Sequence, residues 1–204
     1  MSKLETNTID TISGTNTLQV GDGNVATINL GKSGDTINIP SGATITNSGT
    51  ANNFGGANTP TFSAKSTSNQ TGLSSGGWTK IQFDTATFNV GSNYDTTNDK
   101  FVAPSDGKYF FTASLKINSA GGSATLLGTG CRFSINGTTA GDNVNFIGNG
   151  AMSAMSATNS MILNLTANQY VEVYAYYQDN GGGSGSVTGS GDKSTQFYGC
   201  KLIE

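Results

Sequence analysis

Two pairs of carboxylates are the first candidates for chemistry. Asp95 and Asp99 flank a turn, and Asp179 and Asp192 bracket the glycine-rich run Gly181-Gly182-Gly183-Ser184-Gly185. Two acids about 5–9 Å apart can cleave a glycosidic bond, one as the proton donor and the other as base or nucleophile. The same oxygens could take calcium, but no dense loop of oxygen ligands surrounds them. Aspartate is also a default turn residue, because its carboxylate accepts from nearby backbone N–H groups, and that reading is favoured at all four positions. Gly31-Lys32-Ser33 has the form of the end of a phosphate loop, yet Ala26 stands where such a loop needs its first glycine. The chain has no histidine, so the commonest metal ligand and the commonest general base are both missing. Cys131 and Cys200 are too few and too far apart for a disulfide scaffold or a zinc site. Cys131 alternates with Phe133 and Ile135 and reads as a reduced core thiol. No catalytic residue, cofactor or metal site is expected, and the chain is not read as an enzyme.

Binding is the better candidate. Tyr109, Tyr174, Tyr176 and Tyr198 are the candidate subunit-interface residues. On regular strands the last three point away from the aliphatic stripes, and exposed aromatics on a sheet face fit a subunit interface better than a ligand platform. The loops 119–130 and 180–191 are polar or glycine-rich and are the expected adaptable contact surface.

These residues are carried by short alternating strands. Tyr109, Phe111, Ala113, Leu115 and Ile117 share one face of a strand. Cys131, Phe133 and Ile135 lead into Asn136-Gly137, the strongest short hairpin signal. Met161, Leu163 and Leu165 form another stripe, Val171, Val173, Ala175 and Tyr177 one more, and a last strand runs over 194–203. Strands of this length between Gly- and Asn-rich turns predict a sandwich or barrel.

The front of the chain is different. All ten Phe, seven Tyr and the one Trp lie at Phe54 or later. Before that, aliphatic residues come as doublets split by one polar residue: Leu18/Val20, Ile28/Leu30 and Ile37/Ile39, then a lone Ile45. The steps from Leu18 to Ile28, Ile37 and Ile45 are 10, 9 and 8 residues, a loose strand-and-turn repeat. Each doublet is expected to be a short strand, with turns at Gly31–Asp35 and Pro40–Gly42. A fully buried aliphatic side chain stabilises by about 1.5–3 kcal/mol. Ordering each residue costs about 1.5 kcal/mol, and polar residues far outnumber the aliphatic ones. The segment is therefore expected to order only when several chains pack their doublets around a common axis. A flexible linker has no need of such pairs, and the Gly-X-Y period of collagen is absent.

Composition agrees with a turn-rich β protein. Among 204 residues 29 are glycine, 3 are proline and 11% are charged. A net charge of -3 gives no basic field for nucleic acid. No run approaches the ~20 apolar residues that cross a bilayer. The opening Met1-Ser2-Lys3-Leu4-Glu5-Thr6 has no apolar core of the kind a signal peptide needs, so no visible export signal is read there.

A family resemblance enters with Phe83–Ile117. Phe83-Asp84, Asn89-Val90-Gly91, Tyr94, Lys100-Phe101-Val102-Ala103-Pro104 and Gly107-Lys108-Tyr109-Phe110-Phe111 resemble the pattern of the C1q-like branch of the C1q/tumour-necrosis-factor jelly rolls. Leu163-Asn164-Leu165 with Gln169-Tyr170-Val171-Glu172-Val173, and the close from Ser194 to Ile203, resemble two further blocks of that pattern in the same order. In this chain Asn168-Gln169 replaces the family's Gly-Asp. The resemblance covers about residues 60–204 and implies a ten-stranded jelly roll that assembles as a compact homotrimer. A β stalk without collagen, joined to such a head, is similar to bacteriophage fibres and spikes, especially those of marine phages. Their fibres often begin with a short attachment segment like Ser2–Asp10.

The expected organisation is thus an all-β intertwined homotrimer: a virion-attachment segment at 1–17, a β-repeat stalk at 18–59 and a C1q-like head at 60–204. The expected partners are two further copies of the chain, other virion proteins through residues 1–17, and host-surface glycan, with no nucleic acid and no membrane insertion. The expected place is the virion, assembled in the bacterial cytoplasm. A capsid or tail decoration without receptor role and a non-viral C1q-like lectin or adhesion module are the alternatives.

Overall fold

The computed structural model describes residues 27–48, 59–122, 124–147, 152–189 and 194–202. The chain divides into two units, Met1–Ala51 and Asn52–Glu204. In the first, the turns form where the sequence placed them: Asp35 N–H donates to the Lys32 carbonyl at 3.0 Å and Ala43 N–H to the Pro40 carbonyl at 3.1 Å. The doublets within 27–48 do not form strands. Ile28 is 47% exposed, Leu30 67%, Ile37 58%, Ile39 46% and Ile45 52%. A two- or three-residue strand needs a neighbouring strand for its backbone groups and a cover for its side chains, and residues 27–48 offer themselves neither. The Leu18/Val20 doublet lies outside the described residues.

The second unit is all β apart from a 3-10 turn at Ala120–Gly122. Its thirteen described strands are β1 (Thr61–Lys65), β2 (Gln70–Leu73), β3 (Gly77–Lys80), β4 (Thr85–Val90), β5 (Tyr94–Asp95), β6 (Lys100–Val102), β7 (Gly107–Asn118), β8 (Leu126–Ile135), β9 (Thr138–Phe146), β10 (Ala154–Leu165), β11 (Tyr170–Asp179), β12 (Gly185–Val187) and β13 (Gln196–Lys201). Ten of them make two five-stranded antiparallel layers. The front sheet runs β4-β1-β13-β7-β10, and the back sheet β5-β6-β11-β8-β9. The three short strands beyond the expected ten extend these layers: β12 continues the β13 edge of β7 and carries β2, while β3 continues the β6 edge of β11. β12 falls within the expected loop 180–191 and the first residues of β8 within the expected loop 119–130. Glycine interrupts the apolar pattern in both places.

The strands read from alternation form as expected, β7 and β8 among them. Asn136 (φ 50°) and Gly137 (φ 81°) make the two-residue β8–β9 turn, both in the left-handed region that a type I′ hairpin demands. Asn168, with φ 70°, takes up the left-handed position that a glycine would ordinarily fill before β11. The Gln169 side chain closes that turn by accepting from Thr166 N–H at 2.9 Å.

The core lies between the sheets and is aromatic. Phe62 is its centre, with ring centroids 4.8 Å from Tyr94, 5.2 Å from Phe101 and 4.9 Å from Phe197. Gly199 sits between Phe62 and Phe111 across β1, β13 and β7. A Cβ there would lie 2.6 Å from each of those rings, so glycine leaves the space in which the two sides of the core meet.

Candidate functional site

The three described carboxylates, Asp95, Asp99 and Asp179, are structural. Asp95 accepts from the N–H groups of Thr97 and Asn98, each at 3.0 Å, and from the Asn98 amide at 2.7 Å. That side-chain bond leads the interactions holding its carboxyl below the usual range. Asp99 accepts from Phe83 N–H at 2.8 Å, and burial raises its carboxyl. Asp95 is thus committed to closing its own turn, and Asp99 to tying that turn to the backbone at Phe83. Asp179 is buried and accepts from the hydroxyls of Tyr177 at 2.6 Å and Thr125 at 2.8 Å, and from Gly181 N–H. Asp192 lies outside the described residues.

The four tyrosines do not come together. Tyr109 faces the core, fully buried, with its hydroxyl donating to the Ser105 carbonyl at 2.6 Å. It has no surface to offer a neighbour, because it belongs to the inward stripe of Phe111 and Ala113. Tyr198 lies on the outer face of the front sheet, while Tyr174 and Tyr176 lie on the outer face of the back sheet. The expectation of one aromatic seam gives way to two separate faces.

The front face carries an apolar row. Val90, Thr61, Cys200, Phe110 and Ile162 are lateral neighbours across all five strands. Ile162 is 60% exposed, Val90 47% and Phe110 36%. The next row is Phe88, Ser63, Tyr198, Thr112 and Ser160. Neither row contains a charge. Lysines stand only in rows further out, Lys65 beside Gln196, Lys108 beside Asn164 and Lys116 beside Ser156. An uncharged apolar centre with a polar rim is the anatomy of a protein–protein contact.

The back face carries a different set. Trp78 on β3 lies opposite Tyr176 on β11, with ring centroids 5.3 Å apart. Phe146 on β9 approaches Tyr176 edge-on at 6.0 Å. The Arg132 guanidinium lies 3.7 Å from the Trp78 ring centroid and pairs with Asp142 at 2.9 Å. Lys80 pairs with Glu172 at 2.6 Å, and Glu172 also accepts from the Tyr174 hydroxyl at 3.1 Å. Sequence reading found Tyr174 and Tyr176 but missed Trp78, Arg132 and Phe146. The available signal was Gly128-x-Gly130-x-Arg132, two alternate glycines leading to an arginine on one strand face.

Two sheets with this strand order and this core agree with a domain match over residues 61–201, to the C1q domain. The chain belongs to the C1q family. Among solved structures, the globular domain of zebrafish complement 1qA protein aligns at 11% identity over 71% of this chain and 98% of that one, with a TM-score of 0.48. Murine APRIL in its pH 5.0 crystal aligns at 11% identity over 70% of this chain and 98% of that one, with a TM-score of 0.52. At this identity the likeness to APRIL speaks for the fold alone. No curated protein matches the chain. The second unit is thus a C1q/TNF-like jelly roll, a fold whose family members are trimeric binding modules without enzymatic activity.

The C1q signature residues have physical roles here. Asn89 brackets Tyr94, donating to its carbonyl at 2.8 Å and accepting from its N–H at 3.1 Å. Gly91 has φ +87°, and a Cβ there would lie 2.8 Å from the Asn93 side chain and 2.9 Å from that of Thr59. Tyr94, packed on Phe62, has its hydroxyl pKa raised by burial and then by Asp99, Asp95 and Asp84.

The Asp179 network gives a pH prediction. Burial alone would raise this carboxyl, but the bonds from Tyr177, Gly181 and Thr125 overcome it and hold it below the ordinary range. Burial, with the bond to Asp179 behind it, pushes the Tyr177 hydroxyl up to about 12. A carboxyl depressed on folding stabilises above its unfolded pKa of about 3.9, and loses that contribution as pH falls through the folded value. Asp179→Asn is expected to lower stability at pH 7 by about 1–3 kcal/mol, the cost of leaving buried donors badly matched. The deficit should shrink below pH ~4. Urea midpoints measured from pH 7 to pH 3 check this; a deficit that is constant with pH would refute the ionised network.

Proposed function

We propose that the protein is a homotrimeric fibre or spike of a bacteriophage virion, with the C1q domain as its tip for attachment to host-surface glycan. The observation that carries it is the uncharged apolar face of the front sheet. Ile162, Val90, Phe88 and Phe110 are too exposed to serve the core of their own chain, and a second and third copy of the chain would cover them. Small hydroxyl residues beside them, Thr112, Ser160 and Ser63, allow backbones to approach closely.

The exposed aliphatics of 27–48 support the same assembly from the other unit. Three chains bringing Ile28/Leu30 and Ile37/Ile39 to a shared axis would supply both the cover and the neighbouring strands that one chain lacks. In this reading 18–59 is the stalk and residues 1–17 attach to other virion proteins, with assembly in the bacterial host. Binding is multivalent: three weak sites on one rod gain about 10²–10⁴ in avidity over one.

Light scattering of the full chain is expected to give three times the chain mass, and the purified trimer should block adsorption of virions to host cells. A stable folded monomer would defeat the assembly. A trimer that leaves adsorption unchanged would remove the receptor role and leave a structural decoration.

A further inference from the structure

We infer that the outer face of the back sheet is a binding site for a neutral pyranose, formed by Trp78, Tyr176, Phe146 and the hollow beside Arg132. The inference rests on the reading of the C1q domain as a glycan-binding tip, and it adds the place and the class of sugar.

The floor of the site is made flat by glycine. Gly128 and Gly130 on β8 lie between the outward residues of β11 and β9. A Cβ at Gly128 would lie 2.7 Å from the Phe146 ring. One at Gly130 would lie 2.9 Å from Val144 and 3.0 Å from Tyr176. Neither glycine has a backbone that requires it, since neither lies at positive φ. What requires glycine is the space. Without side chains on that strand, Tyr176 and Phe146 reach each other across it and Trp78 continues the surface. Phe146 remains 67% exposed at its end.

Charge decides the ligand. Around the aromatic rings two cations and two anions pair internally, Arg132 with Asp142 and Lys80 with Glu172, while a third cation of this face, Lys100, stands further off over the Tyr170 ring at 4.9 Å. No cation is left over among these four for a uronate, a sialate or a phosphate, which argues against acidic sugars and against a nucleotide stacked on the rings. What remains is an aromatic surface whose nearby charges are already paired with one another, bordered by hydroxyl and amide groups. A hollow next to it is lined by Trp78, Arg132, Ser134, Gly137, Thr139 and Tyr174. The Arg132 Nε–H is buried there without a hydrogen-bond partner. A neutral pyranose has one flat C–H face to set against a ring and a girdle of hydroxyls for the polar border, and it brings no charge to neutralise. Sites for small ligands are built in this way, from aromatic walls with a few placed polar groups. The face lies on the far side of the sandwich from the apolar row, so it stays open when the front sheets pack together.

Trp78 is the only tryptophan in the chain, so its emission reports on the site directly. The full-length protein is titrated with neutral gluco-, manno- and galacto-oligosaccharides, and with polygalacturonate and a sialylated oligosaccharide as acidic probes. A saturable change with at least one neutral series is expected, with dissociation constants on the order of 1 mM. Phe146→Ala and Tyr176→Ala, both keeping Trp78, are expected to weaken it at least tenfold without changing the oligomer mass. Three results overturn the inference: no response to any neutral series, an acidic probe binding as tightly as the best neutral one, or unchanged affinity in both variants. In the last case glycan attachment stands and the site lies elsewhere. If instead the sugar response is as expected but the protein fails to block virion adsorption, the site stands and the host-attachment role falls.

Discussion

Phe62→Ala is expected to lower the stability of the C1q domain by about 3–5 kcal/mol. For a domain of this size that moves the melting midpoint down by roughly 6–20 °C. Phe62 is 1% exposed, and its ring meets those of Tyr94, Phe101 and Phe197 within 4.8–5.2 Å. Two costs add: the lost transfer of a large apolar ring from water, and the cavity left by neighbours that cannot close in. Here the second is large. The neighbouring position on β13 is Gly199, which has no side chain to collapse into the gap. The other rings are held by both sheets, Tyr94 and Phe101 on the back and Phe197 on the front. Phe62→Leu keeps much of the volume and is expected to lose far less. Thermal and urea unfolding followed by circular dichroism measure both variants. A loss below about 1 kcal/mol for Phe62→Ala would mean that Phe62 is not the keystone of this core.

The same residues show how much was legible beforehand. Period-two alternation separated inward from outward positions, so β7, β8, β10, β11 and β13 could be read from their stripes. Asn136-Gly137 fixed one hairpin outright, because positive φ at two successive positions has few solutions. The conserved-looking spacing from Phe83 to Phe111 pointed to the family and therefore to the fold. Lateral neighbours were not legible. Alternation says that Tyr174, Tyr176 and Tyr198 point outward, but not that β11 and β13 lie in different sheets, which puts them on opposite sides of the molecule. Tyr109 was in the inward stripe with Phe111, and stripe membership outweighs the pull of an exposed-looking aromatic. Trp78 and Phe146 sit on strands with little apolar alternation of their own. Their common surface depends on register across β3, β11, β8 and β9, and that register is set by the whole sheet.

The front-face row should be undone by one charge. Ile162→Asp is expected to convert the proposed trimer to monomers at micromolar concentration. Ile162 lies at the exposed end of the row beside Phe110, on a sheet face whose two central rows are uncharged. An aspartate there exposes nothing harmful in a monomer, since the position is already 60% open to water. In an assembly it would bury three carboxylates without partners, each costing several kcal/mol. The two free thiols give an internal control. Cys200 stands in the row and Cys131 in the core. Burial pushes the Cys131 thiol up to about 12, so it should stay silent toward a thiol reagent at pH 8 until the domain unfolds. Cys200 should be protected in the wild type and react quickly in Ile162→Asp, while Lys108→Glu in an outer row should leave both mass and labelling nearly unchanged. A variant still three chains in mass, with Cys200 still protected, would place the contact elsewhere. The monomer also separates the two faces of the sandwich. Its Trp78 response to sugar should keep the affinity of a single site, while its competition for host cells falls by about 10²–10⁴ with the loss of multivalency. Only a molecule that assembles through one sheet and binds through the other has both properties.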